Sequence, residues 1–199
     1  LQLPEHHQIT EVNLVDPKQV PHLPGSKESV LDVRCHDEAG AEYIVEMQVL
    51  PEKCFDKRVL YYVSKTYAHQ LGSGRNYNRL KPIIFLGILN FNFTEDPRYL
   101  STHCIQNIDS KESIFKDFQF TLAELPKFTK TESELETVED KWLYFLKHAK
   151  GLKSVPSVIH EAAVKEAFEI VNSLTWDEAS LDAYDRSDIF QQQRIQQLD

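Results

Sequence analysis

Residues 83–89, Ile-Ile-Phe-Leu-Gly-Ile-Leu, form the longest apolar run in the chain. Seven residues fall far short of the ~18–20 that a membrane helix needs. The run follows Pro82 and is rich in β-branched side chains, which favours a strand over a helix segment of the same length. A strand that is apolar at every position is buried on both faces and belongs at the centre of a sheet.

A hairpin precedes it. Residues 29–35 (SVLDVRC) alternate with period two, placing Leu31, Val33 and Cys35 on one face and Val30, Asp32 and Arg34 on the other. Residues 42–50 (EYIVEMQVL) alternate again, with Tyr43, Val45, Met47 and Val49 opposite Ile44, Glu46, Gln48 and Leu50. The polar stretch His36-Asp37-Glu38-Ala39-Gly40 between them carries turn residues. Centring the turn on Ala39 opposes Cys35 to Tyr43, His36 to Glu42 and Asp32 to Glu46. A shift of one residue would send the two acids to opposite faces.

The remaining chain fits an α+β plan. Residues 8–16 alternate loosely, as an edge strand would, and the Pro-rich stretch after them reads as a connector. Residues 55–71 carry Phe55, Val59, Tyr62, Val63 and Tyr67 on one helical stripe. Two more strands are expected at 102–108 and 114–122, the second with Phe118, Phe120 and Leu122 on one face. From about residue 130 the pattern becomes helical: a helix opening on the capping-box pair Thr131 and Glu134, a second over 157–174 and a third over 175–199. The expected division is a sheet-containing core over 1–128 and a helical extension over 129–199.

Charge is uneven. The chain carries a net −9, which argues against a general nucleic-acid binder. Yet residues 53–81 hold seven bases (Lys53, Lys57, Arg58, Lys65, Arg75, Arg79 and Lys81) against one acid, Asp56. This basic island is either a binding face or a solvated helix and loop. Residues 130–199 hold 14 acids and 8 bases and should avoid DNA. Cys35, Cys54 and Cys104 are odd in number and form no C-x-x-C pair, which argues against a zinc site or a disulfide framework and fits a reducing cytosol. The opening residues carry no signal peptide and no initiator Met; a segment before residue 1 is the expectation.

Two carboxylates opposed across a hairpin lie about 4.5–5.5 Å apart at Cβ, and like charges there are destabilising. One arrangement that offsets the repulsion is a hard divalent cation such as Mg²⁺, which takes one or two carboxylates, several waters and a phosphate oxygen. Gln48, two residues past Glu46 on the same face, is placed to orient a water or a phosphate. The alternative is a solvated face, with Asp32 paired to Arg34 or Glu46 to Lys57.

These residues, in this order, resemble the PD-(D/E)XK nuclease superfamily, and more closely its Rpn branch of recombination-promoting nucleases and putative transposases. The matching stretches are KESVLDVRCHDEAGAEYIVEMQ, FDKRVLYYVSKTYAHQL, LKPIIFLGILNFNF, FQFTLAELPKF and DKWLYFLKHA, spanning about residues 9–184. The resemblance implies a restriction-endonuclease-like mixed sheet of about four strands flanked by helices. It implies that Asp32, Glu46 and the Met47 backbone carbonyl hold Mg²⁺ or Mn²⁺, with Gln48 completing the catalytic set. It implies cleavage of double-stranded DNA to a 5′-phosphate and a 3′-hydroxyl, with Lys57, Arg58, Tyr61 and Lys65 meeting the DNA. Core packing is the competing reading for Tyr62 and Tyr67.

Two departures stand out. Gln48 occupies the place of the superfamily Lys, although the Rpn-like branch generally has Gln there; Lys57 or Lys65 is a candidate to supply the charge. The superfamily's first helix, which in many relatives carries another acid, would precede residue 1. The function implied is a metal-dependent DNA endonuclease of recombination or transposition, cytoplasmic, without a membrane partner, and dimeric if it makes double-strand breaks. The alternative is a nuclease-like module that has lost catalysis and binds DNA or another protein.

Overall fold

The computed structural model describes residues 13–14, 18–19, 29–30, 32–71, 76–152 and 154–173. The chain divides into two compact units, residues 1–131 and 132–199.

The first unit is built on a mixed sheet. Its strands are β1 (Asn13–Leu14), β4 (Val33–His36), β5 (Glu42–Gln48), β6 (Ile83–Leu89), β7 (Leu100–Cys104) and β8 (Phe118–Glu124), in the order β1-β4-β5-β6-β8-β7. The β5–β6 and β6–β8 pairs are parallel; the others are antiparallel. A separate two-stranded ladder joins β2 (Lys18–Gln19) to β3 (Ser29–Val30). With its helices this is the expected α+β, restriction-endonuclease-like arrangement. Short edge pieces raise the strand count of the sheet above four.

The hairpin register is the expected one: Val33 pairs with Val45, Arg34 with Ile44, Cys35 with Tyr43 and His36 with Glu42. The turn is held by Asp37, a buried acid that accepts the Ala41 N–H at 2.9 Å and the Tyr43 hydroxyl at 3.0 Å. Gly40 sits there at φ 84°, the left-handed region that a residue without Cβ reaches freely. The first strand is not continuous over 29–35, however. Ser29–Val30 pairs with β2, the chain bends at Asp32, and β4 starts only at Val33. The stretch expected to be a connector thus supplies a strand, Lys18–Gln19.

Helix α1 (Phe55–His69) joins β5 to β6, the kind of crossover that parallel neighbours need. Phe55, Val59, Val63 and Thr66 are buried along its inner face. Phe55, Val59 and Val63 pack with Ile44, Ile83, Phe85, Leu89 and Leu122 in the main core, with Tyr62, Tyr67, Phe91, Phe118 and Phe120 partly buried against it. Cys35, Ala41, Tyr43 and Ile84 form a smaller cluster on the opposite sheet face. Strand β6 is therefore central and covered on both sides at its start, while Leu86 and Ile88 near its end are only half-buried. The two strands expected at 102–108 and 114–122 are displaced to Leu100–Cys104 and Phe118–Glu124. Ile105, Ile108, Ile114 and Phe115 lie exposed in the loop between them.

In the second unit, α2 (Val138–His148) begins later than expected. Its capping box is Thr137 with Asp140, whose carboxylate accepts the Thr137 N–H at 3.1 Å. Thr131 lies well before that start, and Glu132–Glu134 form a 3-10 turn between the two. Helix α3 is Ala162–Ser173. Phe145, Ile159, Val164 and Phe168 form the core of this unit, and Lys141 Nζ meets Glu161 at 2.7 Å. The third helix expected over 175–199 lies outside the described residues. No helix among the described residues is long and apolar enough to cross a membrane.

Candidate active site

The C-terminal end of β5 brings Glu46, Met47 and Gln48 to the point where β4 has ended. Alternation sends the Glu46 side chain to the α1 face, where it is buried, and leaves the Met47 side chain half-exposed. Continuing the β4–β5 register would place Asp32 opposite Glu46. Instead the chain bends, and the Asp32 carboxylate accepts the Met47 backbone N–H at 2.7 Å through Oδ2. The bend relieves direct opposition of two like charges without parting them.

An extended residue sends its N–H and C=O to the same strand edge. The Gln48 carbonyl accepts the Asn90 N–H at 2.9 Å on the β6 side. The Met47 amide points the other way, to Asp32, so the Met47 carbonyl is directed to the Asp32 edge as well.

Electrostatics single out Glu46. Burial pushes its carboxyl up, and the nearby Asp32 charge and Glu52 add to that. The Arg58 guanidinium and a backbone hydrogen bond from Asp32 pull the other way, and the result is about 7. One of its oxygens, Oε1, is buried without a hydrogen-bond partner. A buried carboxylate oxygen left bare is costly and suits a cation. The donor set is all oxygen (two carboxylates and a backbone carbonyl), the chemistry of Mg²⁺ and Mn²⁺ rather than of softer metals. No cluster of three or more His, Cys, Asp or Glu side chains with metal-site spacing occurs among the described residues. A cation here would fill its remaining positions with water or phosphate oxygens, as Mg²⁺ commonly does.

A family model for the PD-(D/E)XK nuclease family transposases matches residues 1–198. The chain belongs to this family. No curated protein and no solved structure matches it. Membership in the PD-(D/E)XK transposase family supports a nuclease or transposase role, with divalent-metal chemistry typical of such nucleases and DNA as the implied substrate.

The structure gathers Asp32, Glu46, Met47 and Gln48 at one place and adds Arg58 to them. Arg58 Nη2 donates to Gln48 Oε1 at 2.6 Å. Its Nη1 pairs with Glu52, a residue that sequence reasoning missed because it sits beyond Pro51 in no helical or strand period with either neighbour. Tyr62 is half-buried and feels the charges of Arg58, Glu46, Glu52 and Asp32, so it packs in the core and borders the acids at once. Lys57 and Tyr61 are exposed on α1, and Lys65 Nζ lies 5.8 Å over the Tyr61 ring.

Proposed function

We propose that the protein is a Mg²⁺- or Mn²⁺-dependent endonuclease that hydrolyses phosphodiester bonds in double-stranded DNA, acting in recombination or transposition. The observation that carries this reading is the pairing of Asp32 with the end of β5 beside a buried Glu46 whose Oε1 has no partner. Asp32, Glu46 and the Met47 carbonyl are the ligands. A bound divalent ion would supply Lewis-acid charge at the phosphate and lower the pKa of an attacking water.

The other site residues bind and orient. Asp32 holds the Met47 N–H, and in the extended strand the Met47 carbonyl shares that edge. Gln48 stands beside the acids on the same strand. Along α1, Lys57, Tyr61 and Lys65 contact phosphates and sugars, which position a duplex without reading its sequence. We place the enzyme in the cytoplasm, where Cys35, Cys54 and Cys104 stay as the free thiols that they are here. Cutting both strands calls for a homodimer, with one site per strand.

The decisive experiment incubates supercoiled plasmid with the protein and Mg²⁺ or Mn²⁺, against EDTA and Asp32→Ala controls. Metal-dependent nicking that disappears in the variant is the expected result. Salt-sensitive DNA binding without cleavage would assign the chain to a DNA-binding module, and neither activity would leave a nuclease fold with a protein-interaction role.

A further inference from the structure

We propose that Arg58, and not Gln48, is the catalytic group that meets the charge developing on the scissile phosphate, with Gln48 and Glu52 as positioning residues that hold it; the inference rests on the nuclease reading above. Gln48 is largely committed. Its Oε1 accepts from Arg58 at 2.6 Å, and its Nε2 donates to the Leu50 carbonyl at 3.0 Å. What remains to it is one neutral N–H.

Arg58 is the opposite case. A guanidinium has five N–H donors in a rigid fork. Among the described residues, one goes to Gln48 and one to Glu52, leaving three. Among these the Nε–H is buried and has no partner. That donor is too deeply buried for a ligand to reach, so an incoming oxygen would meet the N–H groups left on Nη1 and Nη2. The fork suits a phosphate, which it can grip through two oxygens.

Its aim is fixed in advance. The guanidinium carbon lies 5.4 Å from the Phe55 ring centre and 5.8 Å from that of Tyr62. The aromatic walls and the two oxygen partners together limit the rotamers of a long side chain. The partly exposed edge of the side chain remains open to a ligand. Placement before the reaction is what makes a charge useful to a transition state.

In hydrolysis a bond forms from a water oxygen to phosphorus and the bond to the 3′ oxygen breaks. One water proton ends on that 3′ oxygen, and the 5′ side keeps the phosphate. Between those events the non-bridging oxygens carry the excess charge, and Arg58 is the cation beside Glu46 that can meet it.

The test measures single-turnover nicking of supercoiled plasmid in Mn²⁺, DNA affinity in EDTA and Tm, for wild type, Arg58→Ala, Arg58→Lys and the double variant Arg58→Ala/Gln48→Lys. Arg58→Ala should slow the chemical step by about 10²–10³-fold while DNA affinity stays near wild type. Arg58→Lys should recover part of the rate. The double variant should also recover part, because Gln48→Lys returns an ammonium to the same strand face. Wild-type rate in Arg58→Ala overturns the proposal, as does a loss of rate that follows lost affinity or Tm and is not restored by either Lys. A wild type that never nicks overturns the nuclease reading itself, and this inference with it.

Discussion

The carboxylate of Asp32 accepts the Met47 N–H at 2.7 Å, so a residue just ahead of strand β4 still closes onto β5. The contact ties one proposed metal ligand to the peptide of another. It also separates two roles of Asp32, acceptor and charge, that substitution can tell apart.

Asp32→Asn keeps an oxygen to accept the Met47 N–H and loses the charge. Plasmid nicking should fall by about 10³-fold, with unfolding free energy within about 1 kcal/mol of wild type, since the site is exposed and the hydrogen bond survives. Urea denaturation alongside the nicking assay checks both. Equal losses in both would mean that Asp32 serves the fold alone.

Glu46 makes stability depend on pH in a definite direction. Its folded carboxyl titrates at about 7 against an ordinary 4.5. Between those values the folded state holds a proton that the unfolded chain has lost, so stability falls as pH rises through the window and levels off above it. Glu46→Gln removes the effect. In EDTA it should be more stable than wild type at pH 8 by about 3 kcal/mol, and the two should converge toward pH 4.5. A gap that is the same at both pH values would show that folding does not shift the Glu46 carboxyl.

Glu124 is the most heavily bonded acid of the sheet. It is buried at the end of β8, where it accepts the Phe93 N–H at 2.6 Å, the Thr94 N–H at 3.2 Å and the Thr94 hydroxyl at 2.6 Å, and pairs with Lys127 Nζ at 2.7 Å. Burial pushes its carboxyl up, but these hydrogen bonds outweigh burial and hold it below its ordinary value. Stability from this group is therefore lost as pH falls through the folded pKa. Lys127→Met should cost about 3–5 kcal/mol at pH 7, because it strands the acid. The paired Glu124→Leu/Lys127→Met should cost less than either single change. Urea midpoints for the three variants decide it.

Gly87 lies opposite Glu46 on β6. A Cβ there would come within 3.0 Å of the Phe85 ring and 3.1 Å of Leu122 Cδ2. Gly87→Ala should destabilise by about 1–3 kcal/mol through overpacking, read as a lower Tm. A neutral or stabilising result would mean that the two side chains move aside freely.

Much of the fold was legible because short-range rules govern it. Alternation and the His36–Gly40 turn set the β4–β5 register, and continuous apolarity marked Ile83–Leu89 as central. Where legibility failed, a local signal had a competitor. Thr131 and Thr137 both begin a capping spacing, and the helix starts at the second, whose acid, Asp140, is fully buried. Ile105 and Ile114 look like strand residues but lie in an exposed loop, and alternation runs on through Asp32 with no sign of the bend. Within the site, the nearness of Asp32 to the end of β5 was legible from the hairpin register, whereas the contacts of Arg58 with Gln48 and Glu52 were not. Which α1 side chain faces Gln48 depends on how the helix lies across the sheet, and that is set by Phe55, Val59 and Val63 packing on β6 and β8, far along the chain.

The side chains gathered at the site all come from one uninterrupted stretch, residues 32–58, but the strands that brace it are β6 and β8, which follow much later in the chain. On a translating ribosome, the hairpin that pairs the acids emerges before the strands that β5 and α1 pack against. A nascent chain stopped before residue 83 would carry the site residues and neither of those two strands. The order of elements puts the proposed catalytic residues ahead of the strands that complete the sheet around them.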